Sequence, residues 1–572
     1  METLWKRYMK PFVLNLVKQY ESFIAGMLAM SGGILISTFI ATPAELENQF
    51  FLGLSFRRLV IGVAFLLFLG MNIVVFLFSI RKLNILKEFL ELHTDTWVPW
   101  AIAFLYVGAF VFTVLWFGTL SPPLDFFRFL RAYRDQLDNL FLWVIFLCVY
   151  LITYLKLKYL DTIRSKGIIR YSENLIIGGT LLLTVFFLYA YFAIQIGWVN
   201  KEKYVFWDIL AEQFLQGRLY IPNPPYTHDL TLHNGNWYVP MPPLPGVLIM
   251  PLISFIGVEN FNASYFSIFF SALNGVLVYW ILLDLSIRKW INLSYFGVFI
   301  LVALFLFGTP HLWVGISGRG WYISQILTVF FLALATYAAL RSWSPWMVGV
   351  CIGLAMTARP NSLMTWPFIF SIAMQLFRDR QGQVSWRDAL SWSMKTAFPI
   401  VLVVAGLFFY NYLRFGDFLD FGYMNINGDP GIVKNIRTWG MFHPHFIPRN
   451  LQVMFIELPW ISLDSRWPIE PSAAGMSIFL TTPALIYLFH RYPKDWWVTG
   501  AWIAILFNIS ILSMYHNTGA HQFGYRYILD LQLPLFAMIA VGMKKKIPWH
   551  FVILVLLSIV VNLYGADWFM NA

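Results

Sequence analysis

The sequence predicts an all-α, polytopic transmembrane helix bundle. Three observations predict it. Hydrophobic residues make up 59% of the 572-residue chain and charged residues only 12%, too few to coat the surface of soluble domains. Apolar runs of about 20 residues, long enough to cross hydrocarbon, recur along the chain. Aromatic residues reach 19%, with 25 Trp, and Trp and Tyr favour the membrane–water boundary because one end of each ring system is apolar and the other polar.

The runs lie at roughly 23–42, 57–79, 98–117, 139–157, 174–198, 262–287, 293–308, 320–340, 346–358, 363–377, 397–413, 472–490, 497–515, 525–543 and 548–566, about fifteen spans. Ser342-Trp343-Ser344-Pro345 and Arg359-Pro360-Asn361 bound one short run, since proline favours a break at such sites. The basic stretch Lys6, Arg7 and Lys10 precedes a long span and many more, so it reads as a first anchor rather than a cleaved signal. With the N-terminus cytoplasmic, short inside turns hold Arg81, Lys82 and Lys87, then Lys156, Lys158, Arg164, Lys166 and Arg170, and later Lys544, Lys545 and Lys546. That alternation is what the positive-inside rule expects. The net charge of +11 is thereby assigned to topology, and nucleic acid is set aside as a partner. Cys148 and Cys351 lie in apolar runs, and two cysteines make neither a disulfide framework nor a Cys-based zinc site.

This threading places two long segments outside, 199–261 and 414–471, with 516–524 on the same face. Loops of that length are more often functional than accidental, so chemistry is expected at the outer interface. Residues 205–217 read as a short interfacial helix. Phe206, Trp207, Leu210 and Phe214 share one side, and Asp208 and Glu212, four apart, share the other. Spacing alone fits a solvated acidic face on a connector as well as a functional one. Asn234-Gly235 is a tight-turn signal between two extended runs. The run 246–257 is too short for a span and reads as a re-entrant or surface helix. Glycines and prolines break up 416–471, and Trp439, Phe442, Phe446 and Trp460 call for burial, so the segment is expected to form a lid.

Several segments resemble the GT-C superfamily of membrane glycosyltransferases, most closely the bacterial branch related to protein O-mannosyltransferases and aminoarabinose transferases. They are the acidic first outer loop with its Gly217-terminated helix, the Pro-Pro-Leu element at 242–244, Ala358-Arg359-Pro360-Asn361, Asn411-Tyr412-Leu413-Arg414-Phe415-Gly416-Asp417 with Phe421-Gly422-Tyr423, and Phe523-Gly524-Tyr525-Arg526-Tyr527 with Asp530. The resemblance covers about 174–566, and its specificity lies in the order of the motifs on one face. It implies a GT-C-like core of about eleven helices in a module over 174–572. Four extra helices then form an N-terminal module over 1–173, a partner-docking or lipid-facing unit.

The resemblance further implies transfer of a sugar from a polyprenyl-phosphate donor, at the outer face of a bacterial plasma membrane, to a glycan, lipid or protein acceptor. Relatives carry an Asp-Glu pair at the start of the loop, where this chain reads Lys201-Glu202-Lys203. Three carboxylates therefore stand as candidates for the base, Asp208 first, then Glu202, then Asp229. Such a base accepts the proton of the attacking hydroxyl. The departing phosphate needs cations or a divalent metal ion, the one cofactor this chemistry would admit. Arg359, Arg437 and Arg526 are the outer cations, and the guanidinium fork matches phosphate. His516 and His521 are candidates to donate to phosphate or hold the metal, with Glu212 and Tyr525 as supporting groups. An ion pair of Arg526 with Asp530, one turn on, is the structural alternative for that arginine. A transporter or flippase, which would use charged residues within spans, and a non-catalytic scaffold subunit are the rival readings.

Overall fold

A computed structural model describes residues 49–51, 54–55, 168–196, 199, 206–461, 469–543 and 547–571. The four spans expected before 174, most of the proposed N-terminal module and Glu202 lie outside the described residues. In the first of two compact units, Met1–Thr180, strands β1 (Gln49–Phe51) and β2 (Leu54–Ser55) pair antiparallel. The second unit, Leu181–Ala572, is mostly helical.

Six described helices are long and apolar enough to cross a membrane. They are α1 (Ile168–Gln195), α4 (Ala263–Ile287), α7 (Gly320–Leu340), α10 (Trp386–Phe415), α14 (Trp496–Ser513) and α16 (Trp549–Asn571). A bent pair, α5 (Tyr295–Phe307) and α6 (His311–Ser317), makes a seventh if counted as one span. The spans of α7 and α4 are 83% and 78% buried, against 33% for α16 and 28% for α10, so α4 and α7 are central and α10 and α16 turn apolar surface outward. At 30 residues α10 is about 45 Å long. It therefore extends the run expected at 397–413 through the polar turns around Arg387 and Lys395.

Several expected spans are shifted or broken. The run at 346–358 is α8 (Pro345–Met356), and the run at 363–377 is α9 (Trp366–Gln381), whose last turn carries Arg378 and Arg380. The stretch at 525–543 divides into a 3-10 turn, Arg526–Leu531, and α15 (Gln532–Gly542). The run at 472–490 is no continuous helix. It holds α13 (Ile478–Thr481) and a 3-10 turn, Pro483–Leu488. Pro483 disfavours helical backbone at Thr482, which adopts φ −135° and ψ 75°.

Broken backbone at membrane depth needs protein partners, and side chains supply them here. Thr482 Oγ1 donates to Gly308 O (2.9 Å), where α5 and α6 bend by 54°. Tyr189 Oη donates to Leu306 O (2.5 Å) and Gln532 Nε2 to Phe305 O (3.3 Å). Asn562 Nδ2 donates to Thr481 O (2.7 Å).

At the loop face, α2 (Trp207–Leu215) buries Trp207 and Leu210 against α3 (Leu244–Ile256), and Trp207 Nε1 donates to Gly320 O (2.6 Å) at the start of α7. Strands β3 (Leu230–His233) and β4 (Asn236–Tyr238) form the hairpin that Asn234-Gly235 announces. Both turn residues have positive φ, 49° and 78°, the backbone of a type I′ turn. A third strand, β5 (Ile426–Asn427), pairs with β3 and binds the second long loop to the first. The second loop then runs through α11 (Pro430–Trp439), α12 (Ile447–Phe455) and the pair β6 (Trp460–Ile461) and β7 (Ile469–Glu470).

Candidate functional site

A cavity of about 860 Å³ opens among the first loop, the break after α8, the second loop and the 515–527 segment. The β3–β5 ladder builds one wall. Asp229 N donates to Asn427 O at 2.7 Å, and Thr231 Oγ1 donates to Gly422 O at 2.9 Å. This holds Asp229 just before β3 with φ 61°, a left-handed backbone that aspartate tolerates better than most residues and that is common at functional sites. Its carboxyl faces the cavity, with His228 Nε2 at 3.8 Å. Burial pushes its pKa up, and the charges of His228 and Arg526 draw it part of the way back.

Arg359 precedes the 3-10 turn Pro360–Thr365, where proline stops α8 from continuing. Its Nη2 donates to Asp530 Oδ2 at 2.8 Å, and Asn361 Nδ2 donates to the same oxygen at 2.8 Å. The Arg359 guanidinium also lies over the Tyr527 ring at 5.0 Å. Its Nε is buried and without a partner. Arg526 is held more fully: Nε and Nη2 donate to Gly519 O (3.1 and 3.0 Å), and Nη1 donates to Gln325 Oε1 (2.9 Å). Gln325 Nε2 returns a bond to Arg526 O at 3.3 Å. The alternative Arg526–Asp530 pair does not form, and Asp530 pairs with Arg359 instead, because a 3-10 turn, not an α-helix, separates 526 from 530.

His516 is buried, with Nδ1 unpartnered, and burial lowers its pKa to about 4. His521 packs on Trp568 and Phe569, and burial, with Arg319 nearby, lowers its pKa as well. Both histidines line the cavity. Tyr423 lines it too, its phenol pushed up to about 12 by burial, and the Tyr515 phenol is also raised by burial. Ile432, Val433, Ile436, Phe442, Ile511 and Leu512 supply an apolar wall.

The structure therefore brings Asp229, Arg359, Arg526, His516 and His521 together. Asp208 and Glu212 are half-exposed on α2, as their spacing predicts, but neither lines this cavity. Asp208 Oδ1 accepts from Ile209 N at 2.8 Å. Arg437 is exposed outside the cavity, its Nε donating to Met424 O (3.2 Å). Tyr525 is fully buried behind the lining, in edge contact with Tyr527. Gln325, Tyr423 and Tyr515 were not singled out in the sequence. Tyr423 lies in the Phe-Gly-Tyr element that could have marked it, whereas Gln325 sits within an apolar helix with no local signal. Among the described residues no three His, Cys, Asp or Glu side chains converge to hold a metal ion. Comparison of the chain with protein-family models, with curated proteins and with solved structures found no match.

Proposed function

We propose that this chain is a multi-span membrane glycosyltransferase of GT-C type. It moves a sugar from a polyprenyl-phosphate donor to an acceptor hydroxyl at the extracytoplasmic face. One observation carries the reading: a carboxylate, two arginines and an apolar wall share one cavity at the ends of membrane-length helices. In this proposal Asp229, rather than Asp208, takes the acceptor proton as the hydroxyl oxygen attacks the anomeric carbon. The bond from that carbon to the phosphate oxygen breaks, and its electron pair stays on the phosphate. Arg359 meets the charge that builds there, since Asp530 engages only its Nη2 and the side chain stays partly exposed at the cavity. Arg526, bound by Gly519 and Gln325, contributes a fixed positive field. The apolar wall accommodates the first isoprene units of the donor.

Mass spectrometry of lipid co-purified with the wild type and with Asp229→Asn tests this. The variant should retain an intact lipid-linked sugar, because binding survives and discharge does not. Equal discharge by both proteins would remove Asp229 as the base. The absence of any prenyl phosphate from both would remove the donor class.

A further inference from the structure

Among the described residues, the second loop carries an apolar element that other side chains leave exposed. In the β6–β7 pair, Trp460 stands opposite Glu470 and Ile461 opposite Ile469. Trp460 is 70% exposed, Ile461 81% and Ile469 54%, and Ile456 and Leu458 just before them are exposed too. Opposed residues of a ladder share a face and successive residues alternate. Ile461 and Ile469 therefore leave one face, and Trp460 with Glu470 leaves the other. A folded partner would cover one face of so small a ladder. A lipid boundary surrounds both.

The ladder is also attached where lipid must lie. Tyr564 Oη of α16 donates to Ile469 O at 2.5 Å. On the same helix Ile553, Leu556, Leu557 and Val560 are exposed, the surface a membrane span turns to acyl chains. Tyr564 stands about 7.5 Å along the axis from Phe569, whose ring packs on His521 at the cavity. The attachment is therefore near the loop-face end of the span. Glu470 is exposed on the ladder next to Ile469, and Asp567 follows Tyr564 by three residues on α16, so carboxylates and exposed apolar side chains meet at one level. A headgroup layer above acyl chains has that polarity, and indole prefers it.

We infer that the β6–β7 ladder seats in the headgroup–acyl boundary of the bilayer at the loop face, with Trp460, Ile461 and Ile469 as its anchors. The occupant of this surface is lipid. The inference does not depend on the glycosyltransferase reading.

Ile461→Cys and Lys434→Cys, each made in a Cys148→Ala, Cys351→Ala background, can carry an environment-sensitive fluorophore in phospholipid nanodiscs. Lys434 is exposed on α11 and serves as the water-facing reference. At 461 the emission should be blue-shifted, quenched by lipids spin-labelled near the headgroup, and quenched by iodide severalfold less than at 434. Ile469→Cys should behave like Ile461→Cys. Iodide quenching at 461 equal to that at 434 would overturn the inference. Shielding from both iodide and spin-labelled lipid would do so as well, and would assign the surface to a second copy or another protein.

Discussion

Asp229 owes its place to backbone rather than to helix spacing. A left-handed φ and a bond to Asn427 O point it into the cavity. Asp229→Asn should reduce transfer about a hundredfold or more, the scale of a general base. Burial raises its carboxyl, so the ionised base fills at higher pH than an ordinary aspartate. The acidic limb of the pH–rate profile should be displaced upward, and a limb at or below the usual aspartate range would count against the assignment. Asp530 is the buried anchor of Arg359. Asp530→Ala should cost about 2 kcal/mol, because it takes the partner from a largely buried cation, 16% exposed, and thermal unfolding in detergent reads this. His516 offers a sign test. Its folded pKa of about 4 lies below the usual 6.5, so between those values the unfolded chain takes up a proton that the folded chain refuses. Stability should fall as pH falls through that window, by about 1.4 kcal/mol per pH unit. His516→Gln should flatten the dependence, and an unchanged slope would remove His516 as its source.

Elements show how far local pattern reaches. The β3–β4 hairpin was legible because Asn-Gly supplies two positive φ angles at the cost of few contacts. The β5 pairing was not, since two residues from a distant loop carry no local signature. The second loop does line the cavity, as a lid would, yet of the four aromatics expected to need burial only Phe446 is buried. Trp439, Phe442 and Trp460 are exposed. Trp439 instead stacks on His445, with ring centres 4.5 Å apart, and Trp460 is the residue assigned to lipid. Close helix approach is set by single glycines. A Cβ on Gly500 of α14 would meet Ser371 and stand 2.6 Å from Pro367 O of α9, and small residues permit such contacts in membranes. Gly500→Val should therefore lower the unfolding midpoint sharply. Gly406→Val, with open space around its Cβ position, should not.

At the scale of the whole molecule, the loops that line the cavity lie together at one end of the apolar helices. A membrane-impermeant thiol reagent applied to intact cells should label Lys434→Cys and spare Arg387→Cys near the start of α10. Labelling of both, or only of 387, would refute the proposed orientation. By itself the sequence determined the class of the protein, because hydrocarbon demands long apolar helices and composition reports that demand directly. It also marked the helix at 205–217, and it named 359, 516, 521 and 526, which share the cavity in the structure. Only the tertiary structure decided which spans break. A broken backbone survives in a membrane where side chains such as Tyr189, Thr482, Gln532 and Asn562 reach its freed carbonyls, and those partners are remote in sequence. The tertiary structure likewise decided which carboxylate meets the arginines. Asp208 follows helical spacing to a half-exposed face, and Asp229 reaches the cavity through strand pairing between two loops, which depends on the fold as a whole.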